Sequence, residues 1–147
     1  RLHWLPMERT GADVDEFLAR LDGPHAETMR AIDALIGERL GGRERELWEG
    51  VFWGGTEQRI IGYARIEQPR PKGESVEWFL LGLAQQQKHV SLYVNAVAEG
   101  GYLLAQYQGR LGSLKQGAAA LTIPSLEKVN LEGLASLVDE AFATLDS

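Results

Sequence analysis

QRIIGYARIE, residues 58–67, shows the two-residue alternation of side chains that is typical of a β-strand. VEWFLLGL, residues 76–83, is almost wholly apolar, as expected of a strand that is buried on both faces. The connection QPRPKGES, residues 68–75, contains two prolines, which cannot donate to a ladder of hydrogen bonds, and so predicts an exposed turn. Two strands joined by a short turn predict an antiparallel hairpin.

Further elements lie on both sides of this hairpin. Residues 88–94 alternate again, and residues 118–123 predict another short strand. Residues 13–40 carry apolar side chains at helical spacing, which predicts two consecutive helices or one kinked helix. Residues 103–111 favour a helix that glycines weaken. The clearest helix is the last, since an apolar stripe runs through residues 131–145.

Two side chains are placed to cap these helices. Asp13 precedes the first helix and Glu16 follows three residues later, the spacing of a capping box in which Asp replaces Ser or Thr. Asn130 precedes the last helix, where an amide side chain is a preferred cap. Gly23 and Pro24 end the first helix and allow a second to begin. Both ends of the chain are therefore expected to carry helices with defined starts.

Length and composition place these elements in one domain. A chain of 147 residues that is 44% hydrophobic and 24% charged has an ordinary globular composition. We predict a single α+β domain over residues 13–147, with an antiparallel sheet of about five strands packed against N-terminal and C-terminal helices. Residues 1–12 are expected to form an N-terminal tail, with Met7 as a candidate natural start.

What the sequence lacks excludes several classes of protein. The absence of cysteine excludes thiolate nucleophiles and iron–sulfur clusters. The longest apolar run, residues 78–84, is far shorter than the roughly twenty residues that a membrane-spanning helix needs. Phosphate-loop, nucleophile-elbow and HExxH motifs are absent. We expect a cytoplasmic protein without membrane partner or enzymatic activity, although a Glu–Tyr pair assembled by folding leaves general acid–base catalysis open.

The middle of the chain is nearly neutral and rich in aromatic residues. Residues 1–47 carry a net charge of −3, residues 48–125 of +1 and residues 126–147 of −4. Nine of the twelve aromatic residues lie in the middle segment. Nucleic-acid binding by stacking also requires a basic track, which this segment lacks, so no nucleic-acid partner is expected.

These aromatics are the candidates for a ligand-binding surface. Trp53 and Tyr63 each stand beside a glycine, which leaves room for a pocket, and Tyr93 lies on a neighbouring predicted strand. Lys115, within the glycine-rich residues 111–117, adds a cation and main-chain N–H groups that could hold an anion. A helix stop followed by a turn is the simpler interpretation of that glycine-rich segment.

Clustered carboxylates provide a second candidate site. Asp13, Asp15 and Glu16 crowd the start of the first helix, and hard oxygen ligands of this kind could hold a ferrous or other divalent ion. Acidic residues at a helix N-terminus also complement the helix dipole without any ligand. Both interpretations stay open at the level of the sequence.

Five segments stand in the order and spacing of a known family: WEGVFWGG (48–55), YARIEQ (63–68), WFLLGL (78–83), KHVSLYV (88–94) and LGSLKQGAAALTIPSLEKVNLEGLASLVDEAF (111–142). Over nearly the whole domain the chain resembles the bacterial YdhG-like domains of unknown function. The resemblance implies a twisted antiparallel sheet covered by helices, a fold often compared with that of frataxin. Some relatives carry an iron-chaperone label.

Together these observations favour a non-catalytic protein that binds a small ligand or a protein partner through Trp53, Tyr63, Tyr93 and Lys115. The alternative is a frataxin-like iron-binding protein or iron chaperone, with iron held by Asp13, Asp15 and Glu16 or by the pair Asp139 and Glu140 of the last helix. No cofactor is expected outside that alternative. Sheet edges and an apolar helical stripe would also support a homodimer.

Overall fold

In the computed structural model, residues 7–51, 57–70 and 73–146 are described. They form an α+β fold with an antiparallel sheet, so the predicted fold class is confirmed. No helix in these ranges is long and apolar enough to cross a membrane. The strands are β1 (Glu8–Arg9), β2 (Arg45–Val51), β3 (Glu57–Arg70), β4 (Gly73–Gln85), β5 (Val90–Val94), β6 (Val97–Ala98), β7 (Gly101–Tyr102), β8 (Lys115–Gln116) and β9 (Ala120–Ile123). The helices are α1 (Val14–Ala19), α2 (Ala26–Gly37), α3 (Leu131–Ala143) and the 3₁₀ helices Leu103–Tyr107 and Leu126–Lys128.

The sheet has seven strands in the described residues, in the order β1-β2-β3-β4-β5-β9-β8, rather than the expected number of about five. The difference includes the two edge strands, β1 and β8, which have two residues each and are too short to show an alternation in sequence. β1 falls within the segment that was expected to be a tail, and it pairs with β2. The small hairpin of β6 and β7 lies outside this sheet.

The helices begin where their capping residues predict. The Asp13 carboxylate accepts a hydrogen bond of 3.0 Å from the Glu16 main-chain N–H, and Asn130 Oδ1 accepts one of 3.2 Å from the Gly133 N–H. Of the two alternatives predicted for residues 13–40, two consecutive helices are confirmed as α1 and α2, and one kinked helix is wrong. The helix predicted over residues 103–111 is a 3₁₀ helix that ends at Tyr107, ahead of Gly109.

The main core lies between the helices and one face of the sheet, which we call the helix-facing side. Leu47 of β2, Ile61 of β3 and Leu83 of β4 are buried there together with Met29 and Ile36 of α2. Each such side chain stabilises the fold by about 1.5–3 kcal/mol. This layer fixes α1 and α2 over the strands.

The opposite side of the sheet carries a smaller aromatic cluster. Trp48 and Phe79 are almost fully buried, and their rings meet edge to face with centroids 5.6 Å apart. Two glycines make this possible, because a Cβ at Gly62 would lie 2.6 Å from Trp48 Nε1, and one at Gly82 would overlap the Phe79 ring. The rings therefore occupy the space that these glycines leave.

β3 and β4 change faces together near their middle. Tyr63 faces the helices, whereas Arg65, two residues later, pairs with Glu46 on the opposite side. Ala64, between them, has a left-handed φ of +68°. On β4 the change occurs at Leu80, because Leu81 belongs to the main core whereas Phe79, two residues away, belongs to the aromatic cluster. One hairpin thus contributes to both sides of the sheet.

Candidate functional site

The helix-facing side of the sheet becomes polar at one end. Leu47 of β2, Ile61 of β3 and Leu83 of β4 are core residues, and the next positions with the same orientation are Glu49, Arg59 and Gln85. Charged and amide side chains occur at this end because they lie at the margin of the helix layer, where water reaches the sheet.

A cleft opens at this polar end, between the sheet and the C-terminal end of α1. Its volume is about 430 Å³, within the range of small-molecule sites. We call it the glutamine cleft, because four of the nine described residues that line it are glutamines. The lining residues are Phe17, Leu21, Glu49, Glu57, Gln58, Arg59, Gln85, Gln86 and Gln87.

Hydrogen bonds orient the amides of the glutamine cleft. Gln85 Nε2 donates to the Asp22 main-chain carbonyl at 3.2 Å, and Gln86 Nε2 donates to Gln58 Oε1 at 3.0 Å. The Gln86 main-chain N–H also donates to the His89 carbonyl at 2.8 Å, which closes the turn from β4 to β5. Gln85 Oε1 is buried and accepts no hydrogen bond from any described residue. A buried acceptor without a donor is costly, so this oxygen opposes the stability of the fold.

The charges of the glutamine cleft are unevenly matched. Glu49 and Arg59 form an ion pair of 3.1 Å, so the only cation among the described lining residues is already neutralised. Glu57 is exposed and has no ion-pair partner in the described part of the chain. Phe17 and Leu21 are half-buried and add an apolar wall. The cleft therefore offers amides, one unmatched carboxylate and an apolar surface.

A second polar group lies deeper on the same side, and we call Asp33, Tyr63, Arg45 and Asp15 the Asp33 network. Tyr63 is fully buried and its hydroxyl donates to Asp33 Oδ1 at 2.7 Å. Arg45 donates to Asp33 Oδ2 at 2.6 Å and also to the Asp15 carboxylate. The network joins α1, α2, β2 and β3 through hydrogen bonds between charged groups.

The electrostatics of the Asp33 network follow from burial and charge. Burial, reinforced by the charge and hydrogen bond of Asp33, raises the pKa of the Tyr63 hydroxyl well above its usual value. Partial burial disfavours the charged form of Arg45, but its bonds to Asp15 and Asp33 outweigh this and raise its pKa. Tyr63 therefore stays neutral and Arg45 stays charged over the physiological range.

The structure does not bring the predicted aromatic site residues together. Tyr63 lies in the main core, and the glycine beside it faces the opposite side, where Trp48 and Phe79 fill the space. Tyr93 packs on that opposite side, and burial raises the pKa of its hydroxyl. Lys115 is exposed on β8, at the far edge of the sheet, and Trp53 lies outside the described residues.

The three acidic residues at the start of α1 are already engaged. Asp13 caps the helix, Asp15 binds Arg45, and Glu16 lies 3.8 Å from Arg20 across one helical turn. Within residues 7–51, 57–70 and 73–146, no group of three or more acidic or histidine side chains could hold a metal ion. An iron site on Asp13, Asp15 and Glu16 stays a prediction.

The glutamines of the cleft were not singled out from the sequence, although a signal was present. The triplet Gln85–Gln87 directly follows an apolar strand, and Gln58 begins the strand before it. Ile61 pairs with Leu83, and the same register continued outward places Gln58 opposite Gln86. The register of the hairpin is therefore what shows that these two separate polar stretches line one cleft.

No family model, no curated protein and no solved structure matches this chain. The resemblance to YdhG-like domains and to the frataxin fold therefore stays a prediction.

Proposed function

We propose that this chain is a non-catalytic binding domain that holds a small organic ligand in the glutamine cleft. The observation that carries the proposal is the cleft itself, about 430 Å³ in volume and lined by oriented amides beside an apolar wall. Sites for small ligands combine concave shape, apolar area and a few placed polar groups in this way.

The chemistry of the lining supports binding rather than group transfer. Amide side chains donate and accept hydrogen bonds but do not act as acids or bases near neutral pH. Among the described lining residues, the groups that could act as a nucleophile or base are the carboxylates of Glu49, which is paired with Arg59, and of Glu57, which is exposed to water. A domain with this lining is suited to hold and release a molecule unchanged.

The first test combines a compound screen with a matched pair of variants. The variant Gln85→Met with Gln86→Met keeps side-chain volume in the cleft but removes its amides, and Gln106→Met changes an exposed glutamine outside it. Small polar compounds are screened by thermal unfolding. A ligand at 100 times its Kd should stabilise the fold by about 2.7 kcal/mol. That corresponds to an increase in Tm of several degrees for a domain of this size.

We expect compounds that raise the Tm of the unchanged protein and of Gln106→Met, but not of the cleft variant. Native mass spectrometry of protein purified gently from its own cells should show the same retained mass in the first two and none in the third. A shift that persists in the cleft variant would place binding elsewhere and contradict the proposal.

A further inference from the structure

We infer that the glutamine cleft selects an organic cation, a primary ammonium or guanidinium group on a short aliphatic stem. The inference rests on the proposed binding function and adds the class of ligand. It follows from the balance of hydrogen-bond acceptors, charges and apolar surface among the described lining residues.

Amide and carboxylate oxygens supply the acceptors that the cleft offers to a ligand. Gln85 and Gln86 have each committed an Nε2 group inside the chain, at 3.2 Å to the Asp22 carbonyl and at 3.0 Å to Gln58 Oε1. Gln86 Oε1 accepts no hydrogen bond from the described residues and is left for a ligand, whereas Gln85 Oε1 is closed off by burial. A ligand rich in N–H groups matches this arrangement, because ammonium and guanidinium groups donate and do not accept.

The charges favour the same class. Arg59 is held by Glu49 at 3.1 Å, so it is not available to neutralise a ligand anion. Glu57 leaves one negative charge unmatched among the described lining residues. A cation would gain a charge-assisted hydrogen bond at Glu57, whereas an anion would meet repulsion there.

The apolar wall of the cleft is the reason to expect an aliphatic stem on the ligand. Phe17 and Leu21 are half-buried and line the cleft together with the amides. A cation with a hydrocarbon chain of about five carbons can cover this wall while its head group reaches the acceptors, as the stems of lysine and arginine do on protein surfaces. A fully hydrated inorganic cation would leave the wall exposed to water.

The test uses three probes of equal length and different charge, which are pentylamine, 1-pentanol and pentanoate, together with butylguanidine. Isothermal titration calorimetry is performed on the unchanged protein, on Glu57→Gln and on Glu74→Gln. Glu74 is an exposed residue of β4 outside the cleft and serves as the matched control. Gln85→Met reports whether a bound probe uses the cleft.

We expect pentylamine and butylguanidine to bind at least tenfold more tightly than 1-pentanol, with no binding of pentanoate. Glu57→Gln should weaken the two cations about tenfold and leave 1-pentanol unchanged, while Glu74→Gln should change nothing. The cation affinity should also fall as salt rises, since one ion pair contributes to it.

Two results would overturn the inference in different ways. Equal or tighter binding of 1-pentanol or pentanoate, abolished by Gln85→Met, would reject the cationic class while the binding function of the cleft stands. Binding of the cations that survives both Glu57→Gln and Gln85→Met would show that they bind elsewhere, and would reject this inference together with its proposed site.

Discussion

The Asp33 network and the glutamine cleft both place polar side chains on the helix-facing side of the sheet, yet they differ in the source of their partners. In the network, each oxygen of Asp33 has a donor within the chain, from Tyr63 and Arg45. In the cleft, Gln85 Oε1 has no donor among the described residues. Polar groups that satisfy one another stabilise the fold, whereas the partly exposed amides and the unpaired Glu57 of the cleft are available to a ligand.

The largest effect is expected from Asp33→Ala, which removes the centre of the network. The substitution leaves the buried Tyr63 hydroxyl and the Arg45 guanidinium without their shared acceptor. Breaking a buried charge pair in this way costs about 3–5 kcal/mol in the free energy of unfolding. Urea unfolding followed by tryptophan fluorescence measures the loss.

Glu16→Ala is the control, because Glu16 is exposed and pairs at 3.8 Å with the exposed Arg20 on the surface of α1. Surface pairs contribute about 0–1 kcal/mol, so this variant should unfold almost as the unchanged protein does. Equal losses in the two variants would mean that the network contributes no more than a surface ion pair, and the contrast with the cleft would disappear.

A smaller loss is expected from Tyr63→Phe, which removes one donor and keeps the Arg45 bond to Asp33. A hydrogen bond to a charged group contributes about 1.5–3 kcal/mol to stability. Ligand binding in the cleft should be unchanged in the folded variant. A loss of cleft binding in Tyr63→Phe would show that the two regions are coupled.

The same variant changes the dependence of stability on alkaline pH. Burial raises the pKa of Tyr63 in the folded state, so its contribution is complete below the unfolded pKa of about 10 and declines as pH rises above it. Burial and the hydrogen bond to Glu140 also raise the pKa of Tyr107, to about 12. The free energy of unfolding should therefore fall between pH 9 and 11 in the unchanged protein and in Tyr63→Phe. The fall should be less steep in Tyr63→Phe, because that variant lacks one titrating group.

Unlike the variants of the Asp33 network, Gln85→Met should have a small effect on stability and a large effect on ligand binding. The substitution loses an exposed hydrogen bond to Asp22 but also removes a buried oxygen that has no donor in the described residues. These contributions oppose each other, so the free energy of unfolding should change by less than about 1 kcal/mol. Urea unfolding and calorimetry on one preparation give both quantities. A loss of several kcal/mol would place Gln85 with the structural residues.

The smallest effect is expected from iron. Because Asp15 and Glu16 are paired with Arg45 and Arg20, and Asp13 caps α1, we expect ferrous iron to bind no more tightly than about millimolar. Anaerobic titration with ferrous salt measures this directly. Micromolar binding that disappears when Asp13, Asp15 and Glu16 become amides would favour the iron alternative and contradict the comparison.

Much of the fold could be predicted from local sequence. The alternation over residues 58–67 and the stripe over residues 131–145 report periods that only a strand and a helix produce. β1 and β8 could not be found in this way, because two residues do not define a period. Their pairing depends on the neighbours that the complete sheet supplies.

The site was harder to predict, because it depends on which face each residue takes. Gly62 was expected to make room beside Tyr63, but adjacent residues of a strand point to opposite sides. The room therefore lies away from Tyr63 and is filled by Trp48 and Phe79. Gln85 and Gln86 can be assigned to a cleft only when the register of the hairpin and the position of α1 are known.

The change of faces at Ala64 and Leu80 determines which deletions this hairpin can accept in evolution. Tyr63 and Arg65 lie on opposite sides of the sheet, as directly adjacent residues of a regular strand would, and the residues that flank Leu80 do the same. Ala64 and Leu80 thus resemble single residues inserted into β3 and β4. Removing both would restore an uninterrupted alternation and leave the other side chains of the hairpin on their present faces. Removing only one would shift the register and turn half a strand to the wrong side.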